Sequence, residues 1–206
     1  MPKPIDHLRR KRRIVETSVK LFAEKGFAQV NFGMIAEACG VARTLLYTYF
    51  KDKREIFNAA IDEVTSRVAE KHAEVIKSRQ SADAKIRQIC ITVFAMLFDN
   101  RDFICVVADV LTDYRRRGIY VVEKVVRHTI GLKHILNSLL EEAVSLGEYD
   151  RSVNPVRATD LIYSQFEAAA LRIAGTGNAE LSESIDQMDG ILFSFRSVET
   201  AARRFR

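Results

Sequence analysis

Residues 26–53 read GFAQVNFGMIAEACGVARTLLYTYFKDK, and this stretch decides the fold. Its pattern predicts two short helices, Phe32–Cys39 and Arg43–Tyr49, separated by a tight turn. Gly40 marks the turn, because glycine adopts the left-handed backbone that commonly ends a helix. Asn31 is placed to cap the first helix, since its side-chain oxygen can accept from N–H groups two or three residues further on.

The second of these helices is predicted to have one buried and one solvent-facing side. Leu46 and Phe50 are four residues apart and point inward with Val41, whereas the opposite side carries Arg43, Thr44, Tyr47 and Thr48. So short a helix needs its neighbours for stability. Two helices arranged in this way form a helix-turn-helix, which can place its second helix in the major groove of DNA. Two ordinary surface helices of an all-α domain are the alternative interpretation.

Three sequence blocks near the N-terminus carry a family resemblance. They are RIVETSVKLFAEKGF from residue 13, IAEACGV from residue 35 and LYTYFKDKREIF from residue 46. At this spacing, residues 13–61 resemble the DNA-binding domain of the TetR family of bacterial transcriptional regulators. The sequence departs from the usual family residues where the third helix begins, at Ala42, Thr44 and Leu45.

The chemistry of the side chains assigns several roles in DNA binding. Arg43 is the best candidate to read a base, because a guanidinium group can bind guanine O6 and N7 together. Thr44 and Leu45 can offer methyl groups to thymine. The resemblance implies phosphate contacts by Asn31, Tyr47, Tyr49 and Lys53, although partial core packing is the alternative for Tyr49, and Thr48 is included as a solvent-facing residue of the same helix. The complete predicted DNA-binding set is Asn31, Arg43, Thr44, Leu45, Tyr47, Thr48, Tyr49 and Lys53.

The charges of the chain are unevenly distributed. Residues 1–54 contain 12 Lys and Arg against 5 Asp and Glu, a net charge of +7, and the remainder contains 20 against 22. Basic character is therefore confined to the segment with the helix-turn-helix, as expected of a region that binds a polyanion. Residues 1–12 are predicted to form a disordered arm. The basic run in residues 9–13 either follows DNA phosphates or is simply a solvated charged surface.

Hydrophobic periodicity predicts helices throughout the chain. A first helix is predicted over residues 7–25 and a long one over 53–79, and the others over 83–99, 101–117, 120–146, 155–174 and 182–205. The fold class is therefore all-α. It consists of a three-helix DNA-binding domain in residues 1–52 and a larger helical-bundle domain for ligand binding and dimerisation in residues 53–206.

The resemblance also implies a function for the larger domain. TetR-like proteins are homodimers that pair through their last two helices, and most are repressors released from a palindromic operator by a small-molecule effector. Candidate effector-binding residues are Phe94, Phe98, Tyr114, His128, Tyr163 and Phe166. An ordinary core position is the alternative for each of them. The many aliphatic residues and the absence of Trp favour a lipophilic effector. An activator is the alternative regulatory role.

Other functional classes find little support in the sequence. No HExxH, Glu-x-x-His pair, P-loop or nucleophile elbow indicates catalysis, so neither a catalytic residue nor a cofactor is predicted. The three Cys and four His lack metal-ligand spacing, and no metal site is predicted. A helical scaffold without a DNA role would leave the basic N-terminal segment unexplained. We expect no membrane span and no signal peptide, hence a cytoplasmic protein.

Overall fold

The computed structural model describes residues 4–116, 123–177 and 179–197. These ranges contain nine α-helices joined by turns and loops, and the only β-pairing in them is one isolated bridge. The helices are α1 (Pro4–Lys25), α2 (Phe32–Cys39), α3 (Arg43–Tyr49), α4 (Lys53–Lys77), α5 (Ala82–Asp99), α6 (Arg101–Arg116), α7 (Glu123–Ser145), α8 (Pro155–Gly175) and α9 (Leu181–Phe195). The predicted all-α fold is confirmed.

The chain divides into two compact units. Unit 1 comprises residues 1–65 and 100–124, and unit 2 comprises residues 66–99 and 125–206. α4 therefore contributes residues to both units, and α6 belongs to unit 1. The predicted boundary after residue 52, which separates functional domains, stays a prediction.

Unit 1 has an aromatic core around the helix-turn-helix. The Phe22 and Phe27 rings lie 5.0 Å apart, and the Phe27 and Phe57 rings 5.7 Å apart. Gly26 has φ +80°, so it ends α1 in the left-handed conformation that the sequence predicts and brings Phe27 back onto the helix. α1 packs against both α2 and α6. This core supports α2 and α3 from behind.

Unit 2 is built around α5. This helix packs against α8 and α9, which also pack against each other. Its buried side chains lie on several faces, as predicted for a helix at the centre of a bundle. They are Ala82, Ile86, Ile89, Cys90, Thr92, Val93, Phe94, Leu97 and Phe98.

The loop after α7 links three elements at one end of unit 2. The Glu148 carboxylate accepts hydrogen bonds from the backbone N–H groups of Ala82 and Asp83 and so caps α5. The Asp83 carboxylate in turn accepts from the Tyr149 hydroxyl at 3.0 Å and pairs with Arg196 at 2.7 Å. The start of α5, the loop and the end of α9 are thereby held together.

Two sequence predictions about helix ends are wrong. α1 begins at Pro4, so residues 4–12 are helical and not a disordered arm. Proline is tolerated in a first helical turn, where its missing N–H would have no partner. α9 ends at Phe195, because Arg196 is extended and pairs with Tyr149 in the isolated bridge.

The remaining helix predictions agree with the structure to within two residues wherever it describes the chain. The predicted stop of α6 at Gly118, the predicted start of α7 at Tyr120 and residues 198–205 of the last helix lie outside the described residues. Within the described ranges, no helix is both long and apolar enough to cross a lipid bilayer.

Candidate functional site

α2 and α3 are held at the predicted turn by local hydrogen bonds. The Met34 N–H donates to Asn31 Oδ1 at 3.1 Å, which confirms the predicted cap of α2. Gly40 ends that helix at φ +65° and donates to the carbonyl groups of the preceding turn. Ala42 precedes α3 in an extended conformation and offers no side-chain cap. The N-terminus of α3 is therefore left open to a hydrogen-bond acceptor from outside the helix.

α3 has the two predicted faces. Leu46 is fully buried and Phe50 is 2% exposed, so both anchor the helix on the core of unit 1. Leu45 and Tyr49 are half-buried. The exposed face consists of Arg43, Thr44, Tyr47 and Thr48. Donors and methyl groups of the kinds that read base edges are thus presented outward from one helix.

Tyr47 is held in place from two sides. Its ring centroid lies 4.8 Å from that of Phe32 on α2. On the other side the Arg43 guanidinium lies 5.8 Å from the ring centroid, and Arg43 Nη2 donates to the Tyr47 hydroxyl at 3.4 Å. The tyrosine is nevertheless 51% exposed. Its orientation is therefore fixed before any ligand binds, and this lowers the conformational entropy that the side chain loses on binding.

Tyr49 and Phe50 connect α3 to α1. The Tyr49 ring lies 4.5 Å from the His7 ring, and Lys11 Nζ lies 5.4 Å from the Phe50 centroid. Tyr49 therefore packs on α1 while remaining half-buried, and its predicted phosphate contact stays a prediction. The sequence did not indicate His7 as its partner, because the contact joins two helices through residues far apart in the chain.

Lys53, the first residue of α4, binds the loop between α1 and α2. Its ammonium group donates to the backbone oxygens of Phe27, Ala28 and Val30 at 2.6, 2.9 and 2.8 Å. It also lies 4.8 Å from the Phe27 ring centroid. An ammonium has three N–H donors, so this arrangement uses all of them within the protein. The predicted phosphate contact of Lys53 stays a prediction, and the structure adds a positioning role.

The basic run of residues 9–13 lies on the helical part of α1. Of these side chains, Arg12 pairs with Glu63 at 2.8 Å and with Glu16 at 3.2 Å, so a structural role accompanies its charge. Arg9, Lys11 and Arg13 are exposed. The helix thus fixes where their charges lie, whereas a disordered arm would not.

Comparison with known proteins identifies the helix-turn-helix. The profile of the family described as "Bacterial regulatory proteins, tetR family" matches residues 14–60, which hold most of α1, all of α2 and α3 and the beginning of α4. The fatty acid metabolism regulator protein of Bacillus subtilis (strain 168) is 24% identical over 155 residues, which cover 75% of this chain and 78% of that protein. Residues 14–60 therefore carry the DNA-binding domain of the TetR family.

Solved structures of TetR-like regulators share the fold of this chain. FadR from Bacillus subtilis, solved in complex with stearoyl-CoA, has a TM-score of 0.68 at 22% identity and covers 88% of this chain and 95% of its own. The fatty acid degradation regulator FadR from Bacillus halodurans has a TM-score of 0.72 at 19% identity, with 93% and 96% covered. At 22% and 19% identity these structures show a shared fold, and the family match itself covers residues 14–60.

The structure brings three of the six candidate effector-binding residues into one aromatic group, and a fourth lies one helical turn away. In unit 2 the Phe94 and Phe166 rings lie 5.0 Å apart, and the Tyr163 and Phe166 rings 6.2 Å apart. Phe98 is buried on α5, one turn beyond Phe94. The Tyr163 hydroxyl also lies 2.8 Å from the Thr129 hydroxyl.

The other two candidates lie elsewhere. Tyr114 belongs to unit 1, where the Arg54 guanidinium lies 5.6 Å from its ring centroid. His128 is on α7 and exposed. The sequence pattern did not separate them from the aromatic group, because all six occur on helices with broad apolar faces.

Three polar residues of unit 2 were missed at the sequence level. His72, Asn137 and Thr159 each have a buried side-chain atom without a hydrogen-bond partner among the described residues. We call them the inner polar residues. His72 continues the buried stripe of α4 one turn after Val68, and this periodicity is the one signal that could have revealed it.

The cysteines offer no reactive site. Cys39, Cys90 and Cys105 are free thiols, and burial raises the pKa of each. Thiols held in the protonated form are poor nucleophiles and poor metal ligands. Cys39 and Cys90 are buried, and Cys105 is half-buried. The described residues contain no group of side chains arranged to hold a metal ion.

Proposed function

We propose that this regulator is a homodimeric repressor that binds a palindromic operator through two copies of α3 and leaves it when a lipophilic effector binds to unit 2. The observation that carries the DNA-binding part is the exposed face of α3. Arg43, Thr44 and Tyr47 project from a helix that Leu46 anchors on the core. A helix supported in this way can enter a major groove without unfolding its own domain.

Different side chains serve different parts of this interaction. Arg43, Thr44 and Leu45 contact base edges and so select the sequence. Tyr47, Thr48 and Tyr49 contact backbone phosphates, together with Asn31 at the start of α2. Phosphate contacts set the register of the protein on the duplex. We assign Lys53 to positioning these groups, because its ammonium binds three carbonyl oxygens between α1 and α2.

Dimerisation follows from the size of the reading helix. α3 has seven residues, too few for a long recognition site, and two copies about 34–36 Å apart would read a palindrome across one turn of DNA. Exposed apolar side chains on α8 and α9 support an interface there. Leu171 is 73% exposed, Phe193 49% and Leu161 43%. Ala168–Ala170 would let a partner helix approach closely.

The effector proposal rests on unit 2 and on one relative. FadR from Bacillus subtilis was solved with stearoyl-CoA, and the apolar, aromatic interior around Phe94 and Phe166 suits an acyl chain of similar kind. To release DNA, the effector must bind the DNA-incompetent arrangement more tightly than the competent one. We propose that α4 transmits this preference, since it contributes residues to both units.

Selection of binding sites from a random oligonucleotide pool tests the proposal. The selected DNA should contain an inverted repeat, and gel-shift affinity for it should fall by orders of magnitude between about 50 and 200 mM salt. Equal binding to all sequences would contradict the role of α3. Stearoyl-CoA should release the complex. Transcription in vitro from a promoter that carries the selected site then separates repression from activation.

A further inference from the structure

The inner polar residues lie in the mainly apolar unit 2, where His72 and Thr159 are buried and Asn137 is half-buried. His72 is 5% exposed and Thr159 4% exposed, and His72 Nε2, Asn137 Oδ1 and Thr159 Oγ1 have no hydrogen-bond partner among the described residues. Buried polar groups in folded proteins nearly always have a partner. Three exceptions in one unit therefore indicate a purpose other than folding.

Measured along the helix axes, these residues lie at similar distances from one end of unit 2. At this end α4 and α7 finish and α5 and α8 begin, and Glu148 caps α5 there. His72 precedes the last residue of α4 by about 8 Å along the helix axis, at a rise of 1.5 Å per residue. On the same basis, Thr159 follows the first residue of α8 by about 6 Å and Asn137 precedes the last residue of α7 by about 12 Å.

Contacts between α7 and α8 place two of these residues on facing turns. Lys133 Nζ donates to Asp160 Oδ1 at 2.8 Å, and the Thr129 and Tyr163 hydroxyls lie 2.8 Å apart. The two helices therefore run antiparallel. Thr159 adjoins Asp160, and Asn137 follows Lys133 by one turn. Thr159 and Asn137 are thus offset by about one helical turn along the axes of these two helices.

The hydrogen-bonding capacity of the set can be assigned. Asn137 Nδ2 donates to Glu141 Oε1 at 2.7 Å, which fixes the amide orientation and leaves Oδ1 as a free acceptor. The Thr159 hydroxyl can donate or accept. Burial lowers the pKa of His72, so its ring is neutral near pH 7 and Nε2 can serve in either role.

The surroundings disfavour a negatively charged ligand group. The Glu141 carboxylate accepts from Asn137 at 2.7 Å and would repel an anion beside it, and an unpaired charge in a mainly apolar interior is strongly disfavoured. Further from the same end of unit 2 lie the aromatic rings of Phe94 and Phe166. Along the helix axes, the inner polar residues are therefore followed by an apolar, aromatic region.

We propose that His72, Asn137 and Thr159 bind the uncharged carbonyl and N–H groups of an acyl thioester or amide, whose hydrocarbon chain extends toward Phe94 and Phe166. The inference rests on the proposed function, because it requires that unit 2 binds the effector. It specifies how the polar end of that ligand is bound. Donors on His72 and Thr159 bind a carbonyl oxygen, and Asn137 Oδ1 accepts from an N–H. A free fatty acid, ionised at neutral pH, does not fit this position.

Calorimetric titration of the full chain with two probes at pH 8 tests the chemistry. Dodecanoyl-N-acetylcysteamine presents a thioester carbonyl and an amide without charge, whereas dodecanoate has the same chain and an ionised carboxylate. The thioester should bind at least about 10-fold more tightly, because only the carboxylate must give up hydration of a full charge. Equal or tighter binding of dodecanoate, or binding of neither probe, would overturn the proposal.

Thr159→Val tests the residues. The thioester should bind about 3- to 10-fold more weakly, as expected for one lost hydrogen bond. The melting temperature without ligand should not fall, because the hydroxyl has no partner to lose. Thr92→Val is the matched control: its buried hydroxyl donates to the Gln88 carbonyl at 2.9 Å, so this substitution should lower stability and leave thioester affinity unchanged.

A lower melting temperature with unchanged affinity for Thr159→Val would show a purely structural hydroxyl and overturn the assignment. His72→Phe, which keeps the ring and removes Nε2, gives a second measurement with the same expected direction. Operator binding by the same preparations distinguishes the two proposals. Its absence would contradict the proposed function, whereas intact operator binding without thioester binding would contradict this inference alone.

Discussion

Arg43 and Lys53 are each the first residue of a helix, yet their side chains have different partners. Arg43 is exposed on α3, and within the described part of the chain its side-chain partner is Tyr47. The Lys53 ammonium binds three backbone carbonyls. Two cations of equal charge in one basic segment should therefore differ in what their removal does to DNA binding.

Arg43→Ala should weaken binding to the selected operator by roughly 1–3 kcal/mol and relax specificity at one base pair in each half-site. The physical reason is the loss of a two-pronged contact to a base edge. Gel shifts on operators with single base changes measure both effects. Arg151→Ala, which removes an exposed arginine from unit 2, should change neither. Uniform weakening on all sequences would assign Arg43 to the phosphates instead.

Lys53→Met should lower the free energy of unfolding by roughly 1–3 kcal/mol, because three carbonyl oxygens lose a charged donor. Chemical denaturation measures this change. The dependence of operator affinity on salt should keep its slope if the ammonium stays on the carbonyls. A slope that flattens by about one unit would instead show that Lys53 releases them to bind a phosphate, as the family resemblance implies.

The end of unit 2 shows how helices that are far apart in sequence depend on each other. Asp83 at the start of α5 binds both Tyr149 and Arg196, and the Arg196–Asp83 side chains are only 9% and 18% exposed. Burial and the adjacent Asp83 carboxylate raise the pKa of Tyr149, so its hydroxyl remains a donor. The position at which α9 ends follows from this network.

Arg196→Met should destabilise the protein by about 2–4 kcal/mol, because Asp83 keeps its buried charge and loses its cation. Thermal and chemical unfolding measure the loss. Lys133→Met provides the comparison, since the Lys133–Asp160 pair is 37% and 63% exposed and should contribute less than about 1 kcal/mol. Equal effects of the two substitutions would contradict the importance of burial at Asp83.

For the whole molecule, function depends on whether two copies present α3 to one duplex. The exposed apolar residues on α8 and α9 are the surface through which we propose this pairing. A monomer would offer only one reading helix and half of the phosphate contacts. Operator affinity should therefore depend on self-association as well as on α3.

Leu171→Arg should convert the dimer to a monomer and abolish tight operator binding, because it places a charge in an interface that must exclude water. Light scattering should give about twice 23.4 kDa for the parent chain and a mass near 23.4 kDa for the variant. Leu146→Arg, at a similarly exposed leucine outside α8 and α9, should leave the mass unchanged. A monomeric parent chain would refute the dimer.

Local signals in the sequence determined the DNA-binding head. Asn31, Gly40 and the four-residue spacing of Leu46 and Phe50 predicted the bounds and faces of α2 and α3, and the structure confirms them. These features act within one or two helical turns, so neighbouring residues are sufficient to set them. The family resemblance of the same segment is also confirmed. It could be read from the sequence because the residues that carry it lie close together in the chain.

Tertiary structure alone decided the contacts between residues distant in the chain. Lys53 reaches carbonyls 23 to 26 residues away, α9 ends at Phe195 because Arg196 pairs with Asp83, and the inner polar residues come from three separate helices. Hydrophobic periodicity shows which side of a helix is buried but not what it is buried against. That choice depends on the packing of all the helices in a unit, because each can satisfy its apolar face against several partners.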